Sequence, residues 1–257
     1  MKISVLYLGR LECRKYHLIE CDDHKELIKS PIMSILIEHP ILGNILYDTG
    51  NSPYYSTEYP ASTLETYPVA EFISIEDALK EKGLTPADID MIILSHLHFD
   101  HAGGLRYFTG TKAMKNVVVS EAELKNAFCQ VMTGKPGAYV KGLFDLEEIR
   151  FKTIDKDTEL AGGGIRLFIQ NSHTPGVTGM ILETKSMGNV IVTSDTIYTC
   201  DSYQKELPPG GPINKTKKEF YDNLNRIKAM EKEYSAKLLF GHDYEQVLKW
   251  KEKGVII

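Results

Sequence analysis

The segment Ser95-His96-Leu97-His98-Phe99-Asp100-His101-Ala102-Gly103-Gly104 constrains this chain more than any other. It follows the apolar run Met91-Ile92-Ile93-Leu94, which reads as a buried strand. Three histidines and an aspartate within six positions pack poorly but bind cations well, because imidazole and carboxylate suit zinc and other divalent ions. The chain holds only eight histidines in 257 residues, so such a cluster is not a chance loop. On an extended backbone His96 and His98 point to one side, and Asp100 continues that series. His101 falls out of phase, toward a second cation. The expectation is that His96 and His98 hold one ion while Asp100 and His101 hold another.

The rest of the composition narrows the class. With 42% hydrophobic and 25% charged residues the chain has the make-up of a globular protein with a sizeable core. A net charge of −5 argues against nucleic acid or an anionic membrane as the main partner. No secretory signal and no apolar stretch of membrane-spanning length is visible. Cys13, Cys21, Cys129 and Cys200 are scattered and form no C-x-x-C pair, so reduced thiols and a cytoplasmic location are expected. No repeat or linker divides residues 1–257, which are expected to form one domain.

Along the chain, Lys2–Leu8 reads as a strand and 9–30 as an irregular surface loop. His17, His24 and His39 have no partner at metal spacing and read as surface residues. Ile32–Glu38 and Asn44–Tyr47 are strands around a turn through Pro40 and Gly43, the second ending in Asp48-Thr49-Gly50. On its own that tripeptide reads as a turn. Residues 51–72 are an aromatic, proline-broken loop. Ser74–Lys82 is a helix capped by Ser74 and Asp77 and stopped by Gly83, and Pro86 opens a short turn. Asn116–Val119 is a strand, and Ser120 with Glu123 caps a helix whose apolar positions are Leu124, Phe128, Val131 and Met132. Residues 149–154, 165–169, 179–182 and 190–193 are expected in a second sheet. A long helix, 216–234, is capped by Thr216 and Glu219, and a last strand, 237–240, leads into Gly241-His242-Asp243. His173, beside Pro175-Gly176, and Asp195, at a strand end, read singly as structural. A faint echo links 44–49 with 190–196, both strands ending in Asp-Thr.

Taken together, His96, His98, Asp100, His101, His173, Asp195 and His242 resemble the signature of the metallo-β-lactamase superfamily: H-x-H-x-D-H, a distant histidine, a bridging aspartate and a final histidine. Asp48-Thr49-Gly50 matches the superfamily's strand-end motif, which makes Asp48 the residue that orients a ligand histidine. Within the superfamily the chain is similar to the N-acyl homoserine lactonases in His96–Gly104, in Tyr198 three residues after Asp195, and in Phe240-Gly241-His242-Asp243-Tyr244-Glu245-Gln246. It departs from them around His173: the Pro-Gly that precedes the histidine is missing, and Val177 replaces a second, non-ligand histidine.

The resemblance implies a four-layer αβ/βα sandwich, two mixed β-sheets flanked by helices. It implies two divalent ions, zinc first and iron, manganese or cobalt as alternatives. His96, His98 and His173 would hold the first, Asp100, His101 and His242 the second, and Asp195 would bridge them. The implied reaction is lactone opening by a hydroxide shared between the ions, a quorum-quenching activity on N-acyl homoserine lactones. Tyr198 would donate to the carbonyl oxygen and Asp100 would carry the proton to the leaving group. Phe99, Gly210 and Gly211 are loosely implied substrate contacts. A glyoxalase II-like thioesterase or a phosphodiesterase is the alternative. The expected partner is a small lactone or ester, with no nucleic acid or membrane, and the choice between monomer and homodimer stays open.

Overall fold

A bulge at Gly9 decides how far the first strand runs. The computed structural model describes residues 1–210 and 217–257. Strand β1 (Lys2–Arg14) pairs antiparallel with β2 (Leu27–His39), and its register shifts between Tyr7 and Arg10. Gly9 takes φ 97°, and a Cβ there would lie 2.1 Å from the Glu71 carbonyl oxygen. The expected loop over 9–30 therefore shrinks to 15–26. Leu11 and Cys13 are buried while Arg10, Glu12 and Arg14 face outward, so the segment's polarity is strand alternation.

The remaining strands are β3 (Gly43–Tyr47), β4 (Val69–Phe72), β5 (Met91–Ile93), β6 (Val117–Ser120), β7 (Phe151–Ile154), β8 (Thr158–Glu159), β9 (Ile165–Gln170), β10 (Val177–Thr184), β11 (Gly188–Val192) and β12 (Lys237–Leu239). Among the described residues they form a seven-stranded sheet, β4-β1-β2-β3-β5-β6-β7, and a five-stranded sheet, β12-β11-β10-β9-β8. Both mix parallel and antiparallel pairs. Strand β7, expected in the second sheet, runs parallel to β6 at the edge of the first. The helix between them is a crossover that returns the chain to the same sheet. Strand β4 falls in the region expected to be only loop.

Helices α1 (Tyr55–Glu58), α2 (Ala61–Thr66), α3 (Ile75–Lys80), α4 (Phe99–Ala102), α5 (Glu121–Met132), α6 (Lys141–Phe144), α7 (Cys200–Lys205), α8 (Lys217–Tyr234) and α9 (Tyr244–Glu252) complete the fold. Ser74 and Ser120 cap α3 and α5 through the backbone NH groups of Asp77 and Glu123. Thr216, the expected cap of α8, lies outside the described residues. Met132 is exposed at the end of α5, off the stripe on which Leu124, Phe128 and Val131 pack. His39 is buried, contrary to expectation: its Nδ1 accepts from the NH groups of Ile41 and Leu42. No helix among the described residues is long and apolar enough to cross a membrane.

Alternation along the strands sorts the apolar side chains among the layers. Ile35, Ile37, Ile45 and Tyr47 meet Leu167, Met180, Val190 and Val192 between the two sheets. Leu36, Leu46, Ile92 and Leu94 face the other way, onto Ile75, Leu79 and Phe108. Phe168, Ile181 and Ile191 pack on Phe220, Leu224 and Ile227 of α8. The layers run helix, sheet, sheet, helix. The Asp-Thr echo recurs in topology. Strands β3 and β11 each pair antiparallel with the strand before and parallel with a later one, and each leads into a residue at positive φ, Asp48 (61°) and Ser194 (50°).

Candidate metal centre

Strand ends from both sheets meet at one edge of the sandwich. Asp48 follows β3, Ser95–His98 follow β5, His173 lies between β9 and β10, Asp195 follows β11, and His242 follows β12. The extended phase of the motif ends at His98, which occupies the N-cap of the one-turn helix α4 (φ −67°, ψ 162°). Asp100 therefore leaves the His96–His98 series and shares a turn with His101.

The imidazoles converge. His96 Nε2 lies 3.0 Å from His98 Nδ1, and His173 Nε2 lies 3.1 and 2.9 Å from those two atoms. Asp195 stands between this set and the next. Its Oδ2 is 3.8 Å from His96 Nε2 and 3.5 Å from His173 Nε2; its Oδ1 is 3.4 Å from His101 Nε2 and 3.2 Å from His242 Nε2. Asp100 Oδ2 is 3.7 Å from His101 Nε2. All seven residues are buried.

The donor set fits cations. His96, His98 and His173 form one group able to hold an ion, and Asp100, His101 and His242 another. Three nitrogens about 2.0–2.1 Å from one tetrahedral ion would stand about 3.3 Å apart, close to the observed spacings. His101 Nε2 and Asp195 Oδ1 are buried with no protein hydrogen-bond partner, which is costly unless something binds there.

Each imidazole is fixed from behind. His101 Nδ1 lies 2.8 Å from Asp48 Oδ2, whose carboxylate also accepts from the NH and hydroxyl of Ser95 (2.7 Å each). His96 Nδ1 lies 3.0 Å from Ser95 Oγ, His173 Nδ1 2.8 Å from the Tyr198 hydroxyl, and His242 Nδ1 2.9 Å from Ser30 Oγ. The His98 ring packs on Tyr139 (4.5 Å). Such partners select the tautomer that leaves the other nitrogen free to ligate. Ser95 adjoins the motif in sequence, but Ser30 and Tyr139 carry no local signal.

Electrostatics separate the two halves. Burial holds His96 and His98 well below the usual imidazole range and lowers His173 to about 4, so these three rings are neutral. Burial also disfavours charge on His101 and His242. Asp195 and Asp100, with Asp48 at His101, outweigh it and raise both. Asp195 is held well below the carboxylate range: burial opposes this, but His101, His242 and His96 prevail. Burial raises Asp100, and it raises the Tyr198 phenol well above its ordinary value.

A chamber of about 40 Å³ lies over the cluster, walled by Cys13, His17, Leu18, Phe99 and Tyr198. It shares Tyr67, His98, Ala138 and His173 with a groove of about 420 Å³ that continues past Thr63, Asn126, Gln130 and Lys135. His17 is thus a wall of the chamber, its ring 5.4 Å from Tyr67, rather than a surface residue. His24 is exposed and stacks on Tyr16. Phe99 packs on Tyr59 and Tyr67. Gly210 donates its NH to the Tyr16 carbonyl (2.9 Å), and a Cβ there would lie 2.2 Å from the Tyr16 ring. Gly211 lies outside the described residues. Arg106 pairs with Glu58 and lies over the Tyr54 ring.

A family model described as the metallo-beta-lactamase superfamily matches residues 28–242. An N-acyl homoserine lactonase of Bacillus thuringiensis is 30% identical over 228 residues, 86% of this chain and 84% of its own. N-acyl homoserine lactonase AiiB of Agrobacterium fabrum is 27% identical, with 95% of this chain and 94% of its own covered. An N-acyl homoserine lactone hydrolase, solved with N-hexanoyl-L-homoserine bound at its catalytic metal centre, superposes with a TM-score of 0.80 at 27% identity, covering 96% of this chain and 95% of its own.

Proposed function

The chain belongs to the metallo-β-lactamase superfamily, as a hydrolase of the N-acyl homoserine lactonase kind, and we propose that its reaction is the opening of an N-acyl homoserine lactone ring. One observation carries this reading: seven buried side chains from both sheets converge, with the Asp195 carboxylate between the halves, within reach of His96 and His173 on one side and His101 and His242 on the other. Residues 1–257 act as one domain in this reading, supported by the core shared between the sheets.

His96, His98 and His173 would hold one cation, and Asp100, His101 and His242 a second, with Asp195 common to both. Zinc suits this nitrogen and oxygen donor set, and iron, manganese or cobalt also fits it. Bound there, the cations would supply Lewis acidity and would lower the pKa of water at the site toward about 7. The chain does the rest. With Nδ1–H of His173 donating to the Tyr198 oxygen, the phenol proton is free to donate to the carbonyl oxygen as charge develops there. Asp100, whose pKa burial raises, suits carrying a proton to the alkoxide of the opened ring. The chamber receives the lactone, Phe99 forms part of its wall, and the groove past Thr63 and Gln130 receives the acyl arm. Such an activity would quench acyl-homoserine lactone signals. For the phosphodiesterase alternative, Arg106 is taken by Glu58, and the cation lining the groove is Lys135.

The test is a substrate panel on metal-replete protein: hexanoyl-homoserine lactone, a glutathione thioester and a phosphodiester. The lactone should be opened with the highest kcat/KM, and His173→Ala should abolish turnover while circular dichroism stays unchanged. Thioester preference would move the assignment to a glyoxalase II-like enzyme, and turnover by His173→Ala would reject the centre.

A further inference from the structure

The N-terminus of α5 lies behind the His96–His98–His173 set, and of the two carboxylates in its first turn, Glu121 and Glu123, the second is buried. Glu123 is fully buried, and its Oε1 accepts from the NH of Leu97 (2.9 Å), the residue between His96 and His98. Thr174, which follows His173, and Tyr139, which packs on His98, lie beside the same carboxyl group, whose Oε2, like Thr174 Oγ1, makes no hydrogen bond. The helix grips the His173 loop elsewhere: Ser120 Oγ donates to the Gly176 carbonyl (2.6 Å). Gly176 sits so close that a Cβ would lie 2.1 Å from Ser120 Oγ and 2.5 Å from the Glu123 nitrogen. Asn126, one turn on, donates to the Tyr139 hydroxyl (2.9 Å). Ordinary capping explains the Ser120–Glu123 backbone bond, but it does not require a buried carboxylate aimed away from the helix.

We propose that Glu123 is a positioning residue for the first cation: its carboxylate ties the His96–His98 turn to α5, the helix that Ser120 joins to the His173 loop, so that three imidazole nitrogens meet at one point. The inference rests on the metal-centre reading. Glu123 touches no reacting atom and acts through the Leu97 NH.

The experiment is a cobalt titration of the metal-free full-length chain, read by the number of ions bound, their dissociation constants and the visible spectrum. Glu123→Gln keeps an oxygen for the Leu97 NH and should change neither constant by more than about threefold. Glu123→Leu has similar bulk but no acceptor. It should weaken one cobalt ion by about 10- to 100-fold and alter that ion's spectrum, while the other ion holds. Phe128→Leu on the same helix controls for plain destabilisation and should leave the cobalt spectrum unchanged. Should Glu123→Leu fail to fold, Gly176→Ala, which pushes the His173 loop off α5, should weaken the same ion. The inference is overturned if Glu123→Leu binds both ions as the parent does, if Phe128→Leu reproduces the loss, or if Gly176→Ala serves as substitute and binds normally. A parent chain that takes up no cobalt overturns the metal-centre reading itself, which separates that failure from this one.

Discussion

Replacing Asp48 by asparagine changes almost nothing in shape and reverses one hydrogen bond. Asp48 is buried, and its carboxylate only accepts: Oδ1 from the Ser95 NH, Oδ2 from the Ser95 hydroxyl and from His101 Nδ1, all at 2.7–2.8 Å. An amide supplies one oxygen and one NH₂. If the oxygen keeps the Ser95 NH, the NH₂ faces His101 Nδ1 and forces that nitrogen to accept, which puts the ring proton on Nε2, the atom nearest Asp195 and Asp100. The amide flipped over sets donor against donor at the Ser95 NH instead. The backbone adds little, because asparagine tolerates the positive φ of 61° found here. A buried donor without an acceptor costs about 1–3 kcal/mol. Loss of an outer partner of a metal-bound histidine typically costs about 10- to 100-fold in affinity, or about 1.4–2.8 kcal/mol. The two routes give the same size. Asp48→Asn should therefore weaken the ion held by Asp100, His101 and His242 by about 10- to 100-fold and spare the other. Zinc titration of metal-free protein against a competing chelator measures both. Two ions bound with parental constants would refute the tautomer argument.

Three other outcomes follow from the geometry. Stability of the metal-free chain should peak near neutral pH. Below about 6.5 the unfolded chain protonates histidines that burial keeps neutral in the fold, His173 down to about 4, so acid destabilises by about 1.4 kcal/mol per unit for each. Above it, the protonated His101 and His242 lose their contribution as pH rises through their raised values. Tm against pH in chelator checks this, and a monotonic curve would contradict it. Tyr198→Phe should slow lactone opening about tenfold at saturating metal, since about 1.4 kcal/mol is one hydrogen bond's net worth, and should also loosen a cation at His173, whose Nδ1 meets the phenol oxygen; an unaltered kcat would remove the phenol from the chemistry. Gln130→Leu should shift preference toward longer acyl chains by about fourfold, about 0.8 kcal/mol per methylene newly buried. An unchanged ratio of decanoyl to butanoyl kcat/KM would take the groove off the substrate's path.

The amino-acid order alone determined the His96–His101 motif, the caps of α3 and α5 and most strands, because these depend on neighbours a few residues apart. The resemblance pointed to the seven side chains found close together at the centre, although His173 and Asp195 read singly as structural. The fold decided what pairing over long separations controls. Strand β1 passes through the bulge to Arg14 only because β2 is there to bond it, and β7 joins the first sheet because α5 carries the chain back. His17 reads as a surface residue until Tyr67, fifty positions on, folds against it. Glu123 reads as a cap until Leu97 is seen to need its oxygen. Local chemistry can mark which atoms are able to ligate. Which buried partner fixes each of them is set by hydrogen bonds between segments that meet only in three dimensions.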